Sequence, residues 1–113
     1  MPKINNSQMR EFTTHQRTFE TNNGHAFANR DNRNQMYVVY SYGEHFPMYA
    51  YDSDTEHWFG NSSKYSPTTS KHQKASRPDT SNDHPIAWLP TDELVDLIAL
   101  GGYAPYCAER CAS

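Results

Sequence analysis

Residues 36–42, which read MYVVYSY, give the strongest strand signal in the chain. The run is dense in β-branched and aromatic side chains, which suit a pleated and partly buried surface. Strand alternation places Met36, Val38, Tyr40 and Tyr42 on one face and Tyr37, Val39 and Ser41 on the other. One face must be core. We therefore expect most rings of this region to be structural, and a surplus on the second face to be available for stacking.

Two more strands follow this run at short distances. Residues 46–51 (FPMYAY) come after a Gly43-Glu44 turn, and residues 56–61 (EHWFGN) come after a turn over 52–55. Because short connections make neighbouring strands antiparallel, the three runs predict a meander. A fourth short apolar segment, IAWL over 86–89, is a candidate for a further strand.

Two helix signals complete the predicted fold. For a helix over 66–75, Ser66 suits the N-cap and Pro67 suits the first helical position. For a helix over 91–101, Thr91 is the expected cap, and apolar residues then recur on one face. We predict an α+β fold: a small antiparallel β-meander with one or two short helices packed on one face.

The chain is predicted to form a single domain between two tails. Residues 1–16 show no strand or helix period, so they predict a flexible N-terminal tail. Residues 17–101 form the α+β domain, in which 17–35 are expected to be loops, and 102–113 form a C-terminal tail. The expected core consists of Phe19, Val38, Tyr40, Met48, Trp58, Tyr65, Trp88, Leu94, Leu97 and Ile98.

Composition sets the class of protein. The chain has 113 residues, an apolar fraction of 35% and an aromatic fraction of 13%, which fits one small domain with an aromatic core. It contains no apolar run of about eighteen residues and no signal-peptide pattern, so we expect no membrane span and a cytoplasmic location. Two cysteines, Cys107 and Cys111, are too few for a disulfide framework.

Charge is unevenly distributed along the chain. The net charge is −3, yet residues 61–78 carry four basic side chains and no acidic one. Residues 79–113 carry six acidic groups and one arginine. A basic block next to acidic regions is the clearest electrostatic feature of the sequence.

Between Tyr37 and Pro78 the chain resembles a domain of unknown function that is widespread in tailed phages. The likeness is carried by YVVYSYG over 37–43, the pair Phe46-Pro47, Trp58, Asn61 and, above all, KYS followed by TTSKHQ between Lys64 and Gln73. This resemblance implies a phage protein made inside a bacterium, and hence the host cytoplasm. It brings no established activity and no catalytic residues with it.

The segment from Lys64 to Arg77 has two interpretations. A helix start offers unpaired amides and partial positive charge, and its hydroxyl and basic side chains would suit an anion or a nucleic acid. Alternatively, Ser and Thr cap the helix while His72 and Gln73 bond backbone groups and lock it onto the sheet. The candidate binding residues are Lys64, Ser66, Thr68, Thr69, Lys71, His72, Lys74 and Arg77, with Tyr49 and Tyr51 as stacking rings.

Other site chemistries are not predicted. The histidines lack zinc-ligand spacing, and the acidic run over 52–56 lacks the glycine and terminal glutamate of a calcium loop. No glycine-rich phosphate loop is present, and no nucleophile–base pair can be placed from sequence. We therefore predict no catalytic residue, no metal site and no cofactor, and a protein that is not an enzyme.

The favoured function is that of a non-enzymatic phage accessory protein that binds a host protein, with inhibition of a host defence as one such role. The acidic C-terminal third would meet a basic host surface. The alternative is a small nucleic-acid-binding module that uses the basic 64–77 segment and aromatic side chains of the sheet.

Overall fold

The structure, a computed structural model, describes residues 2–22, 24–31, 36–41, 46–53, 55–63, 67–78, 80 and 85–102. The strands are β1 Lys3–Ile4, β2 Phe19–Thr21, β3 Ala26–Asp31, β4 Met36–Ser41, β5 Pro47–Asp52, β6 His57–Asn61 and β7 Ala87–Leu89. The α-helices are α1 Met9–Thr14, α2 Pro67–Ser76 and α3 Thr91–Leu100, and a 3-10 turn at Asn6–Gln8 precedes α1.

The strands form one seven-stranded sheet in chain order from β1 to β7. Strands β2 to β6 are antiparallel neighbours, whereas β1 pairs with β2 and β7 pairs with β6 in parallel. Parallel neighbours need a crossover connection, and α1 and α2 lie within these two crossovers. The α+β class and the predicted strands are confirmed, but the sheet is mixed and is not a simple meander.

Both faces of the sheet are buried at its central strands β4 and β5. On one face, Tyr37 and Val39 of β4 pack in a cluster with Met9 of α1, and Ala75 of α2 lies against it. On the other face, Val38 and further residues pack against α3, including its buried Leu94 and Leu97. The expectation that α2 and α3 share one face is therefore wrong. The physical reason is that β4 is apolar at both alternating sets of positions, so each face needs its own cover.

The N-terminal third is more ordered than its sequence indicates. Residues expected to form a flexible tail contain β1 and α1, and the loops expected over 17–35 contain β2 and β3. Met9 is fully buried, and the ring of Phe12 meets that of Phe19 edge-on at a centroid distance of 6.1 Å. Single anchors of this kind leave no periodic pattern, so neither strand nor helix period reveals them.

The helix ends follow the predicted rules with one correction. Pro67 is the first residue of α2, as predicted, whereas Ser66 lies outside the described residues. Helix α3 ends at Leu100 and is capped by Gly101, whose φ of 89° is the left-handed conformation that glycine favours. Its N-cap is Pro90, and Thr91 is already the first helical residue. The Thr91 hydroxyl instead bonds the side-chain amide of Asn61, at 3.0 Å from Nδ2.

The predicted core is largely confirmed within the described residues. Phe19, Val38, Met48, Trp58, Leu94 and Leu97 are buried, and Tyr40 and Ile98 are half-buried. Tyr65 lies outside the described residues, and Trp88, which was expected to be buried, is 45% exposed. None of the helices that the structure describes combines the length and the apolar character needed to cross a membrane.

Candidate binding groove

Helix α2 is fixed to strand β4 by buried polar side chains. The Oγ atom of Ser41 lies 3.2 Å from Oγ1 of Thr69 and 3.1 Å from Nδ1 of His72, and all three residues are buried. One turn later, the Ser76 hydroxyl donates to the carbonyl of His72 over 2.7 Å. Buried polar groups are costly unless they are hydrogen-bonded, so this cluster specifies where α2 sits on the sheet.

The Ser41–His72 pair has the residue types of a nucleophile and its general base. Ser41 is 0% exposed and His72 is 3% exposed, so the pair is closed to a substrate. Burial, with a smaller contribution from His25, lowers the pKa of His72 and favours the neutral ring. A neutral ring suits a hydrogen-bonded packing role, and we assign that role to the pair.

A second set of bonds holds α2 to strands β5 and β6. The hydroxyl of Tyr49 donates to the carbonyl of Gln73 over 2.8 Å, and Nε2 of Gln73 donates to the carbonyl of Asn61 over 2.6 Å. Burial raises the pKa of Tyr49 to about 12, so the hydroxyl keeps its proton near neutral pH. The structural interpretation of Gln73 as a lock between helix and sheet is thereby confirmed.

Trp88 of strand β7 forms an exposed aromatic platform beside α2. Its six-membered ring lies against Gly60, where an added Cβ would come within 2.6 Å of the ring atom Cζ3. Tyr49 meets the indole at a centroid distance of 6.1 Å and an interplanar angle of 63°. The guanidinium carbon of Arg77 lies 5.6 Å from the ring centroid. Glycine at position 60 therefore makes the space that holds the ring on the sheet.

Trp88 borders a groove of about 460 Å³ between α2 and the β6–β7 edge of the sheet, called here the Trp88 groove. Its lining residues are Tyr49, Asn61, Ser62, Ser63, Ser70, Gln73, Lys74, Arg77 and Trp88. A second cavity of about 330 Å³, called here the Arg10 cavity, is lined by Arg10, Arg77, Pro78 and Thr80. Arg77 lines both spaces, so an aromatic platform and a cationic cavity meet at one side chain.

The structure places the predicted binding residues in different environments. Thr69, His72 and Tyr49 are buried, Tyr51 is half-buried, and Lys71, Lys74 and Arg77 are exposed on α2 or just after it. Lys64 and Ser66 lie outside the described residues, and Thr68 is described only through its backbone in α2. Tyr49, by contrast, presents its hydroxyl to the helix and only borders the Trp88 groove.

Sequence reasoning did not assign Arg10 or Trp88 to the site. Arg10 lies in α1, far from the basic block in sequence, and its Nη2 donates to the carbonyl of Lys74 over 3.3 Å. Only the packing of α1 on α2 brings it there. For Trp88 a signal existed: Pro85 and Pro90 flank the three-residue strand. Prolines beside a strand indicate an edge position, where a large side chain can remain exposed.

Within the described part of the chain, no three side chains of His, Cys, Asp or Glu come together where they could hold a metal ion. Cys107 and Cys111 lie outside that part. The resemblance to the phage domain stays a prediction. A comparison of the chain with known proteins found no matching family model, no matching curated protein and no matching solved structure.

Proposed function

We propose that this protein acts by binding, without catalysis, and that its Trp88 groove takes single-stranded nucleic acid. The observation that carries the proposal is an exposed tryptophan ring bordered by Lys74 and Arg77. Bases stack on such rings regardless of sequence, and cationic side chains beside them contact phosphates. The surrounding segment 61–78 contains no acidic residue that would repel a phosphate backbone.

The size of the basic surface sets the expected behaviour. Few phosphates can be neutralised there and the whole chain is anionic, so binding should be weak and strongly dependent on salt. Duplex nucleic acid keeps its bases stacked inside the helix and would engage the charges alone. A single strand should therefore bind more tightly than a duplex of the same length.

The test is a titration of labelled single-stranded and duplex oligonucleotides at low and at physiological salt. The double variant Lys71→Gln/Lys74→Gln should weaken single-strand binding and lower the slope of log affinity against log salt by about 1.4, at about 0.7 per phosphate contact. The matched control is Lys3→Gln/Arg30→Gln, which removes the same charge from exposed positions on β1 and β3. An equal effect of the two double variants, or no wild-type binding at low salt, would remove the proposal.

A second candidate, a phage accessory protein that binds a host protein in the host cytoplasm, is favoured by a different surface. Helix α3 lies on the opposite face of the sheet from α2 and exposes Asp92 and Asp96. Val95 lies between them in sequence and is 39% exposed. An acidic surface with an apolar centre suits a basic protein partner. The phage origin itself rests on the resemblance described above.

This second candidate is tested with tagged protein and nuclease-treated bacterial lysate. A stoichiometric partner should bind the wild type and should be lost from the Asp92→Asn/Asp96→Asn variant. The Lys71→Gln/Lys74→Gln variant should retain that partner. Recovery of the same protein by both variants would show that α3 is not the contact surface.

A further inference from the structure

We infer that the Trp88 groove and the Arg10 cavity form one bipartite site for a nucleotide unit of a strand, with the base on Trp88 and its phosphate between Arg10 and Arg77. This inference rests on the proposed nucleic-acid function and goes further, because it assigns the ligand groups and adds Arg10 to the site. The carrying observation is that Arg77 lines both spaces.

In the cationic half of the site, Arg10 is bonded to α2 before any ligand arrives. One Nη2 donor of Arg10 is used by the carbonyl of Lys74 at 3.3 Å, near the C-terminal end of α2. A guanidinium has five N–H donors, so this anchor leaves others to point at an anion. Two arginines around a polar cavity match the several oxygens of a phosphate better than lysines do, because each guanidinium can bond two oxygens at once.

The aromatic half of the site is held in position by the sheet. Gly60 and Tyr49 fix the Trp88 ring, and Arg77 lies 5.6 Å from its centroid, near the outer limit of a cation–π contact. A base that stacks on the ring can share or replace this loose contact. Arg77 then turns toward the phosphate, so base and phosphate are recognised through one side chain.

The ligand chemistry follows from the two halves together. A nucleotide carries a flat ring and an anionic group on one sugar, and the site presents a partner for each. The exposed Ser70 also lines the Trp88 groove and offers a hydroxyl to the sugar or base. An acidic peptide with an aromatic residue carries similar groups on a more flexible chain, and the experiment includes it as a competing outcome.

Fluorine NMR of 5-fluorotryptophan-labelled protein separates base stacking from charge attraction. The chain has two tryptophans: exposed Trp88 in the groove and Trp58, which is 6% exposed. An oligothymidylate should shift the Trp88 resonance, assigned with Trp88→Phe, and should leave the Trp58 resonance in place. An abasic oligonucleotide of equal length and charge should bind at least about fivefold more weakly, because it cannot stack.

The phosphate half is tested with Arg10→Gln and its matched control Lys3→Gln, since both remove one exposed positive charge. Arg10→Gln should weaken oligothymidylate binding about tenfold, as expected for the loss of a charge-assisted contact. It should weaken abasic binding by the same factor, and the Trp88 resonance should still shift at saturation. Lys3→Gln should stay within about twofold of the wild type.

The NMR and binding experiments distinguish failure of the bipartite site from failure of the proposed function. If Arg10→Gln equals Lys3→Gln while the Trp88 resonance still shifts, the bipartite site is wrong and the proposed binding of single strands by the Trp88 groove survives. If oligothymidylate binds but the Trp88 resonance does not move, both the bipartite site and the placement of the strand on Trp88 are wrong. If neither oligonucleotide binds at low salt, the proposed function itself fails. If a Glu-rich, Tyr-containing peptide shifts Trp88 while oligothymidylate does not, the site serves an acidic protein segment and the inference is overturned.

Discussion

At the level of single residues, the buried His72 makes stability depend on pH. Burial holds its folded-state pKa below the usual value of about 6.5, so the unfolded chain takes up the proton at a higher pH than the folded chain does. The stabilising contribution of neutral His72 is therefore complete above about pH 6.5. It is lost as the pH falls from there toward the folded-state pKa.

This prediction is checked by urea unfolding between pH 7.5 and pH 5. The wild type should lose stability across the lower part of this range, and His72→Asn, although less stable at neutral pH, should lose less with acid. His15→Asn, at an exposed position after α1, is the matched control and should keep the wild-type pH dependence. An identical acid slope in wild type and His72→Asn would mean that other groups cause the effect.

Gly60 is the residue on which the aromatic platform depends. A Cβ at this position would lie 2.6 Å from Cζ3 of Trp88 and 3.0 Å from Cγ2 of Ile86, so the indole ring must move. Gly60→Ala should cost about 1–3 kcal/mol in the free energy of unfolding, as overpacking usually does. The Trp88 fluorine resonance should shift in the free protein while that of Trp58 stays. A wild-type spectrum in the alanine variant would contradict the packing described here.

At the level of elements, α3 covers one face of the sheet along strands β4 to β6. Leu97 is fully buried there together with Leu94, against Val38, Ala50 and Phe59. Leu97→Ala should cost about 2–5 kcal/mol, because it leaves a cavity that the sheet cannot fill. The melting temperature should fall accordingly, with Val95→Ala, at an exposed position of the same helix, as the control. An unchanged melting temperature would show that α3 is an independent appendage.

The predictable elements were those with strong local signals. Strands β4, β5 and β6 carry dense β-branched and aromatic runs with turn signals between them, and α2 begins at a proline. Strands β1 and β2 have two and three residues, so their pairing depends on tertiary contacts that leave no periodic pattern. The same limit hid Arg10, which belongs to the candidate site only because α1 packs on α2.

The positions of α2 and α3 show a different limit. Both helices were found from the sequence, but their placement on opposite faces depends on β4 being buried on each side. The apolar residues at both alternating positions of 36–39 already indicate two covered faces. For the site, the basic residues of α2 were predictable from charge, whereas the burial of Thr69 and His72 required the register of α2 on β4.

At the level of the whole molecule, the sheet lies between two helical layers that differ in their exposed charges. Among the described residues, exposed Arg10, Lys71 and Lys74 lie in the layer of α1 and α2 together with the exposed Glu11, and the exposed Asp92 and Asp96 lie on α3 at the other face. With about 10 Å per packed layer, the two helical layers are roughly 20 Å apart, which exceeds the screening length of about 8 Å at physiological salt. The two surfaces should therefore bind their partners independently.

Independence of the two surfaces is measurable. Asp92→Asn/Asp96→Asn should change single-strand affinity by less than about twofold at 0.15 M salt, because the added positive field is screened before it reaches the groove. At low salt the same variant should bind more tightly than the wild type. A large effect at physiological salt would mean that α3 touches the nucleic acid or alters the groove.

The parallel pairing of β7 with β6 also has a consequence for the order in which the molecule opens. β7 has three residues and pairs with β6 across the long crossover that contains α2, so the pairing is short and carries the entropy cost of closing that crossover. The Ser62 amide, which donates to the Leu89 carbonyl over 2.8 Å, reports this junction. In hydrogen–deuterium exchange, the Ser62 amide should exchange through a local opening whose free energy is lower than that of the openings that expose the β4 amides. A ligand held across Trp88 should slow the exchange of the Ser62 amide and leave the exchange of the β4 amides nearly unchanged. The exchange rate of Ser62 would therefore report whether the Trp88 groove is occupied.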